Sequence, residues 1–158
     1  MKKFLTAALL LAAFTVPAKA QAGSKTPRAV LEAYALAWNR HDFAAIDGLL
    51  APDGIHEDIA AAVHARGPEQ DKDFMKSIIS QEPDLKWHID RVIGSGSSFA
   101  VEWTWTATFT GDGPYGPAKD LPISGHGASI VVVENGRIKR LTDYYDTLSF
   151  FPKPPAKK

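Results

Sequence analysis

Apolar residues recur at intervals of three and four positions early in the chain, which is the spacing of one helix face: Val30, Leu31, Tyr34, Ala37 and Trp38. Pro27 suits the first turn of a helix and Thr26 suits its N-cap, so the helix is expected to begin there. The same spacing predicts a second short helix capped by Asp42 and a third helix from Gly67 to about Ser80.

After Pro83 apolar residues alternate with polar ones, a period of two that is typical of β-strands. The alternation is clearest over residues 99–110, where one face is formed by Val101, Trp103, Trp105, Ala107 and Phe109. A preceding strand is predicted over residues 85–93, with one face formed by Leu85, Trp87, Ile89 and Arg91. Asn135-Gly136 between two further β-rich runs predicts a hairpin.

Residues 111–122 are rich in glycine and proline, which predicts a long loop between two strands. Three helices followed by antiparallel strands predict an α+β fold, in which the helices cover one face of a curved sheet. The domain is expected to span residues 27–150. The proline- and lysine-rich residues 151–158 are expected to form a disordered tail.

The first twenty residues have the features of a signal peptide. They combine a positive start, an apolar stretch, and small residues at the −3 and −1 positions of a cleavage site, Ala18 and Ala20. The alternative is an N-terminal membrane anchor, although the apolar stretch is short for a membrane span. Cleavage predicts a mature chain of about 138 residues that is periplasmic or secreted.

Composition narrows the classes of function. Removal of residues 1–20 takes away three lysines and no acidic residue. The count of lysines and arginines falls from 18 to 15, while all 18 acidic residues remain. A mildly acidic domain without a basic stripe binds nucleic acids and anionic membranes poorly, so neither is expected as a partner. The chain has no cysteine, which excludes disulfides, thiol nucleophiles and cysteine-ligated metals.

The densest group of titratable residues lies in GIHEDIAAAVH, residues 54–64. On a strand, His56 and Asp58 share one face while Glu57 lies on the other. If the shared face lines an apolar cavity, Asp58 is a candidate proton carrier. The alternative is a solvated strand end. His56, Asp58 and His64 also supply the ligand types of a two-histidine, one-carboxylate metal site, but their spacing matches no helical metal motif, so no metal is predicted.

Four segments of the chain, taken in order, resemble the nuclear transport factor 2 superfamily, most closely its SnoaL-like and ketosteroid isomerase-like branches. They are YALAWNRHDFAAIDGLLAPDGIHED at 34–58, RG at 66–67, FAVEWTWTATFTG at 99–111 and VVVENGRIKRLTDYYD at 131–146. Members of this superfamily are cone-shaped, with a bent antiparallel sheet around helices and a mostly apolar pocket, and many are dimers. The resemblance therefore implies a cone-shaped, barrel-like fold that encloses a pocket, and a homodimer.

The resemblance also implies roles for individual residues. Ketosteroid isomerases carry a tyrosine on the first helix and a catalytic aspartate at the first strand, to which Tyr34 and Asp58 correspond. Their protonated aspartic acid on a later strand has no counterpart, because the region here reads Ala128-Ser129. SnoaL-like cyclases use an acid–base carboxylate in the same cavity. The implied chemistry needs no cofactor.

Asp143 corresponds to an aspartate that the limonene epoxide hydrolase branch uses. That branch also needs an Arg-x-Asp pair, which is replaced here by Trp-Thr-Trp at residues 103–105. The predicted strand surrounds Asp143 with apolar residues, and an acid in such a place needs a partner or a function. His126 and Arg91 are the candidate partners, and a structural ion pair is the alternative to a catalytic role.

Aromatic residues supply the remaining candidates. Tyr34 is a candidate donor to an oxyanion through its hydroxyl, and the alternative is a core tyrosine. Trp103 and Trp105 are candidate walls of a ligand pocket, with His126 as a further ligand contact, and the alternative is ordinary core packing.

Together these residues predict a small exported enzyme that isomerises or cyclises a small hydrophobic carbonyl compound by acid–base chemistry. Asp58 would move the proton, Tyr34 would stabilise the oxyanion, and His56 and Asp143 would assist. Two alternatives use the same fold: a non-catalytic protein that binds a hydrophobic molecule, and a dimeric adaptor that uses the convex face of the sheet.

Overall fold

The computed structural model describes residues 26–153, so the predicted signal peptide and the last five residues of the predicted tail lie outside the described residues. Its elements are α1 Pro27–Arg40, α2 Phe43–Leu49, β1 Leu50–Asp58, β2 Val63–Arg66, α3 Gly67–Gln81, β3 Lys86–Ser95, β4 Ser98–Gly113, β5 Gly116–Glu134, β6 Arg137–Tyr145 and α4 Thr147–Phe150. The predicted α+β class is confirmed. Within the described range, no helix is long and apolar enough to cross a membrane.

The first two helices begin where the sequence predicts their caps. The side chain of Thr26 accepts a hydrogen bond from the N–H of Ala29 at the start of α1. Asp42 accepts one from Ala45 at the start of α2. Each cap satisfies an N–H group that the first helical turn leaves without a partner.

The six strands form one open sheet in the order β2-β1-β6-β5-β4-β3. The prediction of antiparallel pairing throughout is wrong at one place, because β1 and β6 pair in parallel. β1 and β6 are separated along the chain by β2, α3 and the strands β3–β5. This connection is long enough for the two strands to pair in parallel. This pairing sets Asp58 opposite Asp143 in the register.

Residues 111–122 are not a loop, contrary to the prediction. β4 and β5 stay paired as far as Gly113 and Gly116, so these residues form the far end of a long hairpin. β6 pairs with β5 only from Gly127 onward, which leaves the preceding part of β5 with a free edge. Proline is tolerated at such an edge because no neighbouring strand needs its missing N–H, which explains Pro117 and Pro122.

A shift in register within β3 corrects the predicted face of Arg91. The pairing with β4 shifts between Ile89 and Arg91, so Arg91 leaves the face that carries Trp87. Its guanidinium instead donates to the carboxylate of Glu102 on the outer face, with Nη2 and Oε1 2.6 Å apart. Arg91 is therefore not the partner of Asp143.

The hydrophobic core fills the space between the helices and the inner face of the sheet. Its fully buried members come from α1, α2, α3 and all the central strands, among them Leu31, Ile46, Met75, Val101, Val131 and Ile138. α4 adds Phe150, which is buried against the same face. Phe151, assigned by the sequence to the tail, packs edge-on against Phe109 with ring centroids 5.0 Å apart.

Candidate active site

A cavity of about 520 Å³ lies between the helices and the inner face of the sheet. Its walls are rich in aromatic side chains, which include Trp38, Phe74, Trp87, Trp103, Trp105 and Phe109. The structure thus places both candidate tryptophans of β4 on the cavity wall. Among the titratable residues of the lining are Tyr34, His56, Asp58, Glu82, Asp143 and Tyr145. An apolar cavity with a few convergent polar groups suits a small organic molecule.

Asp58 ends β1 and is only 5% exposed. Its Oδ1 accepts the N–H of Ala61 and its Oδ2 accepts the hydroxyl of Tyr145, both at 2.8 Å. Burial raises the pKa of Asp58, and this effect prevails over the two hydrogen bonds, which lower it. A carboxylate with a raised pKa on an apolar wall is suited to take a proton from a ligand and return it.

His56 lies beside Asp58 on β1, but its two ring nitrogens face carboxylates and not the cavity. Nδ1 is 2.6 Å from Asp71, and Nε2 is 2.9 Å from Asp143. Burial disfavours the charged ring, yet the hydrogen bonds and charges of Asp143 and Asp71 outweigh it and raise the pKa of His56 to about 10. At neutral pH His56 is therefore an imidazolium that donates to both acids, and it is not a free acid or base.

Tyr34 belongs to the same buried network, in which its hydroxyl already has a partner. Its Oη lies 2.8 and 3.0 Å from the two carboxylate oxygens of Asp71 and donates to them. Burial and the charge of Asp71 raise the pKa of Tyr34 well above its usual value. A turn of the hydroxyl toward a ligand would take a donor away from the buried Asp71 carboxylate, so Tyr34 holds Asp71 in this structure and its role as an oxyanion donor stays a prediction.

Asp143 is held from two sides. Ser129 donates to Oδ1 at 2.5 Å, and His56 donates to Oδ2. Trp103 Nε1 in turn donates to Ser129 at 2.8 Å. The hydroxyl of Ser129 therefore orients Asp143, and its one proton is engaged there.

Strand alternation places two of the candidate histidines outside the cavity. His126 is exposed on the outer face of β5, where Nδ1 lies 3.3 Å from the hydroxyl of Thr104. It is neither a cavity residue nor the partner of Asp143, which corrects both predictions. His64 also lies outside, 3.1 Å from the carboxylate of Glu57, so it does not join the buried histidine.

Three further polar residues belong to the site and are not among those predicted from the sequence. Asp71 lies fully buried on α3, and its only signal is an acid on the face that also carries Met75. Tyr145 shares a strand face with Asp143 by alternation, but nothing in the sequence marks its hydroxyl as the donor to Asp58. Glu82 follows α3 and its Oε2 accepts the indole N–H of Trp105 at 2.6 Å. Burial raises the pKa of Glu82.

The family model of the SnoaL-like polyketide cyclases matches residues 28–152. No curated protein matches the chain significantly. Solved structures do, among them a protein of ketosteroid isomerase-like fold from Catenulispora acidiphila, in complex with trimethylamine. It is 21% identical over 77% of this chain and 88% of that one, with a TM-score of 0.67.

Two further structures show the same fold. A Shewanella putrefaciens protein, assigned to the SnoaL-like polyketide cyclases, is 17% identical over 78% of this chain and 91% of that one, with a TM-score of 0.70. IdmH from Streptomyces antibioticus is 18% identical over 78% and 94% of the two chains, with a TM-score of 0.69. At identities this low, the similarity shows only that the fold is shared. The roles of the site residues therefore depend on the geometry of this chain.

Proposed function

This chain belongs to the SnoaL-like polyketide cyclase family, and from that premise we propose that it isomerises or cyclises a small hydrophobic carbonyl compound by acid–base chemistry. The family supports small-molecule binding or an isomerase or cyclase function. One observation carries the finer proposal: the Asp58 carboxyl, its pKa raised by burial, lies on the wall of an aromatic cavity. Asp58 takes a proton from carbon next to the carbonyl and returns it at another position.

The neighbours of Asp58 support this assignment. Tyr145 holds one carboxylate oxygen and orients the other toward the N–H of Ala61. Asp143 is fixed by His56 and Ser129 in the same cavity, where its charge also raises the pKa of Asp58. Asp143 and His56 therefore assist by placing charge beside the proton carrier.

Deuterium exchange at an activated carbon tests the proposal without knowledge of the natural substrate. The probe is 2-tetralone in deuterium oxide, whose hydrogens next to the carbonyl are followed by proton NMR. We expect the mature protein to accelerate the exchange, and Asp58→Asn to abolish the acceleration while binding, followed by tryptophan fluorescence, is retained. Exchange at the wild-type rate in Asp58→Asn would remove Asp58 from the mechanism, and binding without exchange would favour the non-catalytic alternative.

We further propose that the protein is exported and forms a homodimer. Residues 1–20 support export, and N-terminal sequencing of the protein from a periplasmic or secreted fraction tests it. The dimer is supported by an apolar patch on the outer face of the sheet. Ile93 and Ile130 both pair with Ala100 across β3, β4 and β5, and Tyr144 lies nearby on β6. Ile93 and Ile130 are each 45% exposed.

A further inference from the structure

The charges that line the cavity are mainly negative. Four acids belong to the lining: Asp58, Glu82, Asp112 and Asp143. Among the described residues that line it, none is a lysine or an arginine, and His56 is the one basic side chain. Its positive charge is already shared between Asp143 and Asp71, which lies behind the wall. An anionic ligand therefore meets repulsion in this cavity, and the one cation of the lining, His56, is already paired with two carboxylates.

One part of the wall combines aromatic rings with a carboxylate. Trp38 packs edge-to-face against Phe74 and against Trp105, with ring centroids 5.9 and 5.8 Å apart. The indole N–H of Trp105 holds Oε2 of Glu82 at 2.6 Å. Oε1 of Glu82 has no hydrogen-bond partner within the described part of the chain. All four side chains line the cavity.

We propose that the ligand of this cavity carries a protonated amine or a quaternary ammonium group, which binds against the rings of Trp38, Phe74 and Trp105 beside Glu82. Aromatic faces attract cations, most strongly where water is excluded, and Glu82 supplies the opposite charge. This inference rests on the proposed function in taking the cavity as the substrate site. It narrows the substrate class to a hydrophobic carbonyl compound with a basic nitrogen.

The positive charge of such a ligand also offsets the negative charge that proton removal creates, without a hydrogen bond from Tyr34. Removal of a proton by Asp58 leaves a negative oxygen on the ligand, and the hydroxyl of Tyr34 is held by Asp71. A cation within the same ligand offsets that charge. Burial raises the pKa of Glu82, and a bound cation favours its ionised form, so binding of the ligand and ionisation of Glu82 reinforce each other.

Three probes of similar shape and different charge test the inference: phenyltrimethylammonium, the neutral tert-butylbenzene and the anionic benzenesulfonate. Their affinities for the mature protein are measured by tryptophan fluorescence. We expect the ammonium to bind at least about tenfold more tightly than tert-butylbenzene, and benzenesulfonate to bind more weakly than either. Equal affinities for the ammonium and the hydrocarbon, or a preference for the sulfonate, would overturn the proposal.

Glu82→Gln assigns the effect to the named carboxylate. The variant should bind phenyltrimethylammonium about fivefold to tenfold more weakly, while its affinity for tert-butylbenzene should stay unchanged. Glu134→Gln removes the same charge from an exposed residue at the end of β5, and it should change neither affinity. A Glu82→Gln variant that binds the ammonium as tightly as the wild type would refute the role of Glu82. The binding measurements and the exchange assay fail independently. If tetralone exchange is observed but the ammonium is not preferred, this inference is wrong and the proposed function stands. If the ammonium is preferred but no exchange is observed, the proposed function is wrong and the cation preference stands.

Discussion

The carboxylate of Asp71 lies 2.6 Å from Nδ1 of His56, and the two side chains are 0% and 2% exposed. α3 supplies the acid and β1 supplies the base, so the contact joins the helical layer to the sheet directly behind the cavity. Asp143 binds the other side of the ring at 2.9 Å. A buried imidazolium with a carboxylate on each side is stable only while both acids stay in place.

Asp71→Asn should therefore destabilise the protein by about 3–5 kcal/mol, because it removes one partner of a buried charge pair. The free energy of unfolding is measured by denaturant titration at neutral pH. Asp73→Asn is the matched control on the same helix, since the Asp73 side chain is 74% exposed and pairs with Lys76 at the surface. It should change the stability by less than about 0.5 kcal/mol. Equal losses in the two variants would contradict the buried pair.

The raised pKa of His56 makes stability depend on pH in a defined window. The folded protein keeps the His56 proton up to about pH 10, whereas the unfolded chain releases it near the ordinary value of 6.5. The stabilisation is complete below pH 6.5 and is lost as the pH rises toward 10. The free energy of unfolding should fall by up to about 1.4 kcal/mol per pH unit across that window.

Denaturant titrations near both ends of the window measure this slope. His56→Gln keeps a polar side chain of similar size but has no proton to lose there, so its stability should vary less with pH. If the stability of His56→Gln falls with pH as steeply as that of the wild type, His56 is not the group responsible for the slope.

The sequence predicts the helices and the shared face of His56 and Asp58 because both depend on local periodicity. It does not reveal the Asp71 contact, which exists only because α3 docks against β1. It also misassigns the partner of Asp143, because the parallel pairing of β1 with β6 joins segments about ninety positions apart. The predicted face of Arg91 is wrong for a third reason. A register shift in β3 turns its side chain to the face opposite to the one that strict alternation assigns.

Tyr145→Phe should shift the pH dependence of catalysis. The Tyr145 hydroxyl donates to Asp58 and lowers the pKa of its carboxyl, so removal of the hydroxyl raises that pKa further. Asp58 then becomes a base only at higher pH, and the acidic limb of the tetralone exchange rate moves upward. Tyr144→Phe, which changes an exposed neighbour on the outer face, should leave the profile in place. A shift toward lower pH in Tyr145→Phe would contradict the role given to this hydrogen bond.

Gly127→Ala should disturb the cavity wall. A Cβ at Gly127 would lie 2.3 Å from the indole ring of Trp103, which packs across it from the neighbouring strand. The ring must move, which should cost about 1–3 kcal/mol of stability and weaken binding of the neutral probe tert-butylbenzene. Gly48→Ala is the control, since its Cβ meets nothing within 4 Å and lies in a helix, where alanine stabilises. Unchanged stability and binding in Gly127→Ala would show that Trp103 has room to yield.

Ile130→Glu should convert the proposed dimer into a monomer. The side chain lies at the centre of the outer apolar patch, and burial of a carboxylate there without a partner disfavours association. Light scattering after size-exclusion chromatography gives the mass of each variant at equal concentration. Leu36→Glu is a matched control, because Leu36 on α1 has the same 45% exposure as Ile130 but lies away from the sheet's outer face. If Leu36→Glu dissociates the dimer while Ile130→Glu leaves it intact, the interface lies on the helical side and the outer patch is free to bind another partner, as the adaptor alternative requires.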